Sequence, residues 1–567
     1  MGGMDTKRTL IMIALLATIW IVWMRFFMPK PPPQPAQQPP PQAPATQTQA
    51  PSAPEGAPAA ATTPAPPGAQ KEPGAAAPTS SRPPEEKVTL ESKRWKATFS
   101  SYGAALTSFE LLDPQYREHV GATEVPVDLV KTPGQPALAT TFDDSSFQVP
   151  PDAAWQVDRR GADAVAFVWQ GAGVRVSKEF KVEPAGAHTL TLAVAITNTG
   201  EKPVVTHVQL RSYSRHDFTE KSGFGRPAPN LWMPACYVDG KVRKKGFEEL
   251  RDKGALSATG DTRWVGVTDR YFMLAVAPMP DPAHGPRTCS GEVVDSRAGL
   301  FQAALLLPEQ RIEPGRSQSE SFVVFAGPKI LNELDAVKPG GQKSDLGDSV
   351  DYGWLSPISR VMLLVLVGVR RVIGSWGVAI IALTLLVKLL TYPLTQKSMK
   401  SAKEMAKLKP KIEALQKRYK DDKQRLNQEM MGLYKSHGVN PLGGCLPMLI
   451  QLPIWWALYA TLGNAVELYR SKFLWMPDLT RADPYYITPI AMGIFMFLQQ
   501  RITPMPTDSE QQKMMMYMMP VVFTVMSLWF PAGLTVYILT NTLLTMVQQW
   551  WMNRAGGEKV LKAARAS

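Results

Sequence analysis

Lys388 is the residue whose position most needs a physical explanation. It lies in Leu383-Thr384-Leu385-Leu386-Val387-Lys388-Leu389-Leu390, an ammonium inside an apolar helical run. Near the centre of a bilayer such a lysine costs roughly 2.5–3.5 kcal/mol on insertion scales. The plain reading is a side chain snorkelling to the headgroups. The next basic residue, Lys397, is nine positions on, about 13 Å along a helix, and a lysine stem reaches about half that distance. The spacing therefore favours a water-filled cavity around Lys388. Thr384 sits one turn earlier on the same helix face. Gln451, Thr540 and Asn541 fall inside other apolar runs. Each alone reads as a helix-packing hydrogen bonder; together with Thr384 and Lys388 they read as the lining of one hydrophilic groove. Its chemistry would be electrostatic, the attraction of acidic groups.

Enzymatic chemistry finds little support. The sequence has no P-loop, no His-Glu-x-x-His and no Gly-x-Ser-x-Gly. Its six histidines are scattered without ligand spacing, so no catalytic residue, metal or cofactor is expected. Leu442-Gly443-Gly444-Cys445 mimics a lipoprotein cleavage box but sits mid-chain, and Cys445 as an intramembrane nucleophile lacks a nearby base. Three cysteines are too few for a disulfide scaffold. Cys236 and Cys289 share the middle domain, where one bridge in an exported domain and two free buried thiols are both open.

These residues sit in a chain of 567 residues whose formal charge of +13 could suggest nucleic acid. Many of the basic residues lie between apolar segments, however, where they set membrane orientation. The expected architecture is a multi-domain membrane protein: a signal-anchor helix, an exported all-β domain and an all-α core of five transmembrane helices. Lys7 and Arg8 precede an apolar run at 10–28, long enough to cross about 30 Å of hydrocarbon and without a small-residue cleavage site. Residues 1–28 are read as an uncleaved anchor with its N-terminus in the cytoplasm. Residues 29–84 are Pro/Ala-rich and read as a semi-extended, disordered tether. From 85 to 327, short period-two segments such as 174–180 and 188–194 are separated by Gly, Pro and Asp, the pattern of a β-sandwich. A linker at 328–349 leads to 350–373, where Arg360, Arg370 and Arg371 interrupt apolar residues and suggest an interfacial amphipathic helix. The span core follows at 374–554, and a short basic tail at 555–567.

Charge fixes the expected orientation. Segment 397–437 carries twelve Lys and Arg against five acidic residues, the loop after the third span is balanced, and the 530–533 turn is uncharged. The positive-inside rule then fits six spans with both termini cytoplasmic and residues 85–327 periplasmic. Within 397–437, Met405, Leu408, Ile412, Leu415 and Tyr419 form an apolar stripe, and Asp421-Asp422 breaks it before a second helix. Lys403, Lys407, Lys411, Lys417 and Arg418 would give this hairpin a docking face for acidic RNA, a ribosome or headgroups; a merely solvated face is the plain alternative. Met514, Met515, Met516, Met518 and Met519 read as packing, or as a surface for varied apolar clients.

The C-terminal motifs resemble the YidC family of membrane protein insertases. Val350-Asp351-Tyr352-Gly353-Trp354-Leu355, Tyr392-Pro393-Leu394-Thr395, Asn440-Pro441-Leu442-Gly443-Gly444-Cys445-Leu446-Pro447, Gln451-Leu452-Pro453, Asp483-Pro484-Tyr485-Tyr486-Ile487 and Trp529-Phe530-Pro531-Ala532-Gly533-Leu534 carry the resemblance in order. It implies a periplasmic β-super-sandwich and a groove open to cytoplasm and lipid, with one positive charge on the second span. That charge falls on Lys388, where many members carry Arg, so a planar fork becomes a point charge. The implied polar positions fall on Thr384 and Gln451, an aromatic one on Tyr537 and a further polar one on Asn541. Implied partners are nascent inner-membrane proteins, the Sec translocon, the lipid bilayer, and a ribosome or signal-recognition machinery at the basic hairpin and tail. Two rival readings are a polytopic transporter, for which no internal repeat is found, and a membrane-tethered carbohydrate-binding module at 85–327.

Overall fold

In the computed structural model, the described residues are 83–566 except 121–122, 184–186, 220–229, 282–284, 421, 439–445 and 503–509. The anchor run at 10–28, nearly all of the 29–84 tract and Cys445 lie outside them, as do the side chains of Met514, Met515, Met516 and the basic tail.

Two large antiparallel sheets dominate the β domain, beside one three-stranded and two two-stranded sheets. Nine strands run from the edge strand Lys241–Lys244, past Ser317–Pro328 at the centre, to Gln156–Arg159. Five run from Leu256–Gly260 to Ala139–Thr141. Strand Thr189–Asn198 shows why the sequence pairs this way: Leu190, Leu192, Val194 and Ile196 point inward at period two. They join Phe167, Phe180 and Phe322 of the same sheet and Leu210, Phe301 and Leu305 of the other in one apolar core. Cys236, on strand Met233–Val238, is bonded to Cys289, on strand Arg287–Asp295. The bridge left open by the sequence thus staples one sheet to the other.

The central strand departs from alternation. Phe322 to Pro328 are buried without a break, because both faces are covered. Phe322, Val324 and Ala326 face the inter-sheet core, whereas Val323 and Phe325 join a second cluster with Trp264 and Met273. That second cluster continues through Leu334, Leu346, Val350 and Tyr352 into the helices. Residues 328–349 are therefore no free linker. Leu334 and Leu346 are fully buried, and the Trp264 indole donates to the Asp345 carbonyl at 3.3 Å.

Ten helices are described: α1 (Phe247–Lys253), α2 (Leu331–Ala336), α3 (Ser356–Ile373), α4 (Trp376–Lys407), α5 (Lys409–Arg418), α6 (Lys423–Ser436), α7 (Leu446–Asn464), α8 (Ile487–Ile502), α9 (Glu510–Ser527) and α10 (Ala532–Ala566). Among the described residues, α4 alone is long and apolar enough to cross a membrane by length and composition; Tyr517–Ser527 is a shorter apolar stretch. Helix α4 runs on past 397 to Lys407, and the chain turns at Leu408 before α5. Asp422 then caps α6, its carboxylate accepting from the Arg425 amide at 3.0 Å. Helix α10 packs on α4, α7 and α8, and α9 on α8. Small residues permit these approaches: a Cβ on Gly493 would overlap Thr524 of α9.

Candidate functional site

Helix α10 is the element that gathers the polar residues. Tyr537, Asn541 and Thr545 follow at four-residue steps, so they share one broad face. The Gln451 amide of α7 donates to the Tyr537 hydroxyl at 2.7 Å. The Lys388 ammonium of α4 donates to Thr545 Oγ1 at 2.7 Å, and the Thr545 hydroxyl donates on to the Asn541 carbonyl at 2.6 Å. The two side-chain bonds tie α10 to α7 and to α4. They lie about 12 Å apart along the helix, at 1.5 Å per residue.

The expected groove residues are not equivalent in the structure. Thr384 is fully buried and returns its hydroxyl to the Ile380 carbonyl of its own helix at 2.7 Å, a local bond that helices commonly accommodate. Tyr537 is also buried. Lys388, Gln451, Thr540 and Asn541 are half-buried. Lys388 has no carboxylate partner among the described residues. Among the described residues its hydrogen-bond partner is one neutral hydroxyl, which leaves the charge able to attract an anion. Thr545 was missed by the sequence reading. Its signal was present as the next four-residue step after Tyr537 and Asn541.

The basic hairpin is partly tied back. Lys403 donates to the Met552 carbonyl of α10 (3.0 Å), Lys407 pairs with Glu404 (2.9 Å), and Lys411 meets His437 Nε2 (2.8 Å). Lys417 and Arg418 are exposed, with Arg418 resting over the Tyr419 ring. Met405, Leu408 and Ile412 of the predicted stripe are buried.

Two of the motifs are structural rather than chemical. Asp483 accepts from the Trp475 indole, the Tyr485 and Thr488 amides and the Thr488 hydroxyl, at 2.8–3.1 Å for the shortest contact of each. Burial alone would raise its carboxyl; these donors hold it below its ordinary value. Asp351 pairs with Lys244 of the β domain at 2.9 Å, and its carbonyl accepts from Asn464 of α7. The junction is completed by the chain after α7. Gln115 donates to the carbonyls of Glu467 (2.9 Å) and Tyr469 (3.0 Å), and the Tyr469 ring meets Tyr271 and Phe272.

A large β domain seated on a helical bundle, with a lysine that lacks a carboxylate partner among the described residues on a helix long and apolar enough to cross a membrane, fits a membrane protein with a large extramembrane domain. Comparison with known proteins makes this specific. Residues 368–559 match the family described as 60Kd inner membrane protein, and residues 87–365 match the YidC periplasmic domain. The membrane protein insertase YidC of Anaeromyxobacter dehalogenans (strain 2CP-C) is 38% identical over 485 residues, 83% of this chain and 85% of that protein. The protein of the same name from Syntrophus aciditrophicus is 34% identical over 571 residues, covering 97% and 100%. A crystal structure of an active YidC insertase with its first transmembrane domain resolved is 19% identical, with a TM-score of 0.37, over 82% of this chain and 92% of that one. A galactose mutarotase-like protein from Lactobacillus casei is 12% identical, with a TM-score of 0.29, over 42% of this chain and 100% of that one. The chain belongs to the YidC family of membrane protein insertases. It is an inner-membrane protein with a periplasmic domain.

Proposed function

We propose that this chain integrates newly made inner-membrane proteins by drawing their acidic, polar segments toward Lys388. On this reading α4, α7, α8, α9 and α10 cross the membrane, residues 10–28 add the N-terminal anchor, and both termini are cytoplasmic. Residues 29–84 tether the periplasmic domain. Lys388, Gln451, Thr540, Asn541 and Thr545 line a hydrophilic groove, with Thr384 and Tyr537 supporting it from the packed core. The observation that carries the reading is the single neutral partner of Lys388 on an apolar helix.

The mechanism needs no nucleotide. A client segment enters from the cytoplasmic side, and the ammonium attracts its carboxylates. At an effective dielectric near 20, that attraction is about 4 kcal/mol for charges about 4 Å apart. Water in the groove lowers the cost of moving the polar segment. The client's run of about 20 apolar residues then partitions into lipid, and this burial drives release. Lys417 and Arg418 on the hairpin offer a cytoplasmic contact for a ribosome or targeting machinery, and the same core cooperates with the Sec translocon on larger clients. Membership of an insertase family disfavours both the transporter and the carbohydrate-binding readings.

The test is liposome insertion of a purified single-span client with an acidic N-terminal segment. Wild type and Lys388→Arg should insert it, and Lys388→Glu should not. Full activity of a folded, correctly oriented Lys388→Glu would overturn the proposal.

A further inference from the structure

The three arginines of α3 have different surroundings. Arg360 is paired with Asp348 at 2.9 Å. Arg370 and Arg371 have no carboxylate partner among the described residues. The Arg370 guanidinium lies 5.9 Å from the centre of the Trp376 ring, and its Nε is buried without a hydrogen-bond acceptor. Immediately beyond, Val372 is 86% exposed and Ile373 50%. Gly374, at φ +84°, then turns the chain into α4 and closes α3 by donating to the Arg370 carbonyl at 2.8 Å.

The exposed apolar tip belongs to a longer surface. Ile358, Val361, Leu364 and Val372 fall on one side of α3, away from the buried Ser359, Met362 and Leu366, and the exposed Trp354 lies just before the helix. An apolar side facing out and a packed side facing the core describe a helix lying in a membrane interface. Basic residues in a last helical turn also complement the helix dipole. That effect accounts for their sign, yet it leaves the buried Arg370 Nε without an acceptor among the described residues. Two fixed positive charges beside exposed aliphatic side chains and a tryptophan match a phosphate above an acyl chain.

We propose that the α3–α4 corner binds an anionic phospholipid at the periplasmic face, with Arg370 and Arg371 on the headgroup phosphate and Val372 and Ile373 in the acyl region beneath. This rests on the reading above that α4 enters the membrane from the periplasmic side. Arg370 supplies the inner donor, oriented over Trp376, and Arg371 the outer one. A zwitterionic lipid presents the same phosphate with its own cation attached, so the site prefers phosphatidylglycerol to phosphatidylcholine.

The test uses full-length protein in nanodiscs containing a photoreactive phosphatidylglycerol or phosphatidylcholine probe, with labelling read on the peptide around 370–376. Phosphatidylglycerol should label the corner more strongly, and the preference should fall on the order of fivefold for each arginine replaced by glutamine. The Arg370→Lys/Arg371→Lys variant should retain most of it, which separates charge from misfolding. Equal labelling by both lipids, or undiminished preference in Arg370→Gln/Arg371→Gln, would overturn the site. Ser375→Cys, in a Cys445→Ser background, reports placement and should react with an impermeant thiol reagent from the periplasmic side. Protection from both sides, or reaction from the cytoplasm alone, would overturn the membrane placement and the lipid site together. Periplasmic reaction without lipid preference would remove the lipid site alone.

Discussion

Lys178 in the β domain and Lys388 in the helical core are chemically alike and enclosed differently. Among the described residues each has one hydrogen-bond acceptor and no carboxylate partner: the Leu138 carbonyl at 2.9 Å for Lys178, and Thr545 Oγ1 at 2.7 Å for Lys388. Lys178 is sealed, 0% exposed, with the Phe180 ring 5.4 Å away. Burial pushes its amine down to about 7. Lys388 is half-buried and keeps a route to its surroundings. The sealed lysine can only cost stability, whereas the open one can meet a ligand's charge. Burial of a lysine is therefore not by itself a functional signal; what it can still reach decides.

The same substitution at both positions should have opposite consequences. Lys388→Met should reduce liposome insertion by up to about 1000-fold, the loss of one charge attraction of about 4 kcal/mol, without lowering the thermal midpoint. Wild-type insertion by Lys388→Met would erase the distinction between the two lysines. Lys178→Met should leave insertion unchanged and alter pH dependence instead. Because the folded amine titrates near 7 and the unfolded one near 10.5, stability falls as pH drops from about 10.5 to about 7. The slope is up to about 1.4 kcal/mol per pH unit, and it is flat below. Denaturation of the purified full-length protein at several pH values should show that slope in wild type and not in Lys178→Met. An unchanged slope would place the titration elsewhere.

The junction between the two regions has its own proton. Glu467, on the turn after α7, is half-buried and within electrostatic reach of the β domain's Tyr116, of Tyr352 and of Glu333. Burial pushes its carboxyl up to about 7, although its own amide and that of Leu331 donate to it; Glu333 raises it further. Its Oε2 has no partner among the described residues. A raised carboxyl favours the docked state when protonated. Docking should therefore be strongest below about pH 4.5, weaken as pH rises to about 7, and level off above. Hydrogen exchange at Gln115 and 466–469, corrected for intrinsic pH dependence, should follow this course. Glu467→Gln should abolish the dependence and tighten the junction at pH 8 by about 1–3 kcal/mol. The smallest effect is expected at the partner of Lys388. Thr545→Val should change insertion only a few-fold, from a bond worth about 1 kcal/mol; a loss as large as that of Lys388→Met would make the hydroxyl, not the charge, the recognising group.

Much of this was legible in the chain. Alternation already put Lys178 on the inward face with Val174, Val176 and Phe180, and the apolar run around Lys388 marked it as exceptional. The four-residue steps on α10 were present too, yet Thr545 gained meaning only when Lys388 was found against it. Periodicity specifies a face because each element has a fixed repeat. It says nothing of what that face meets. The Leu138 carbonyl lies 40 residues from Lys178, and Thr545 lies 157 from Lys388; only packing brings such groups together. The same limit hid the structured connector at 328–349 and the union of Cys236 with Cys289 across two sheets. Sequence by itself determined the kinds of element, their inward faces and the single charge in an apolar helix, all set by local repeats and solvation. Tertiary structure alone decided which buried lysine was closed off and which remained open, because enclosure depends on segments distant in the chain.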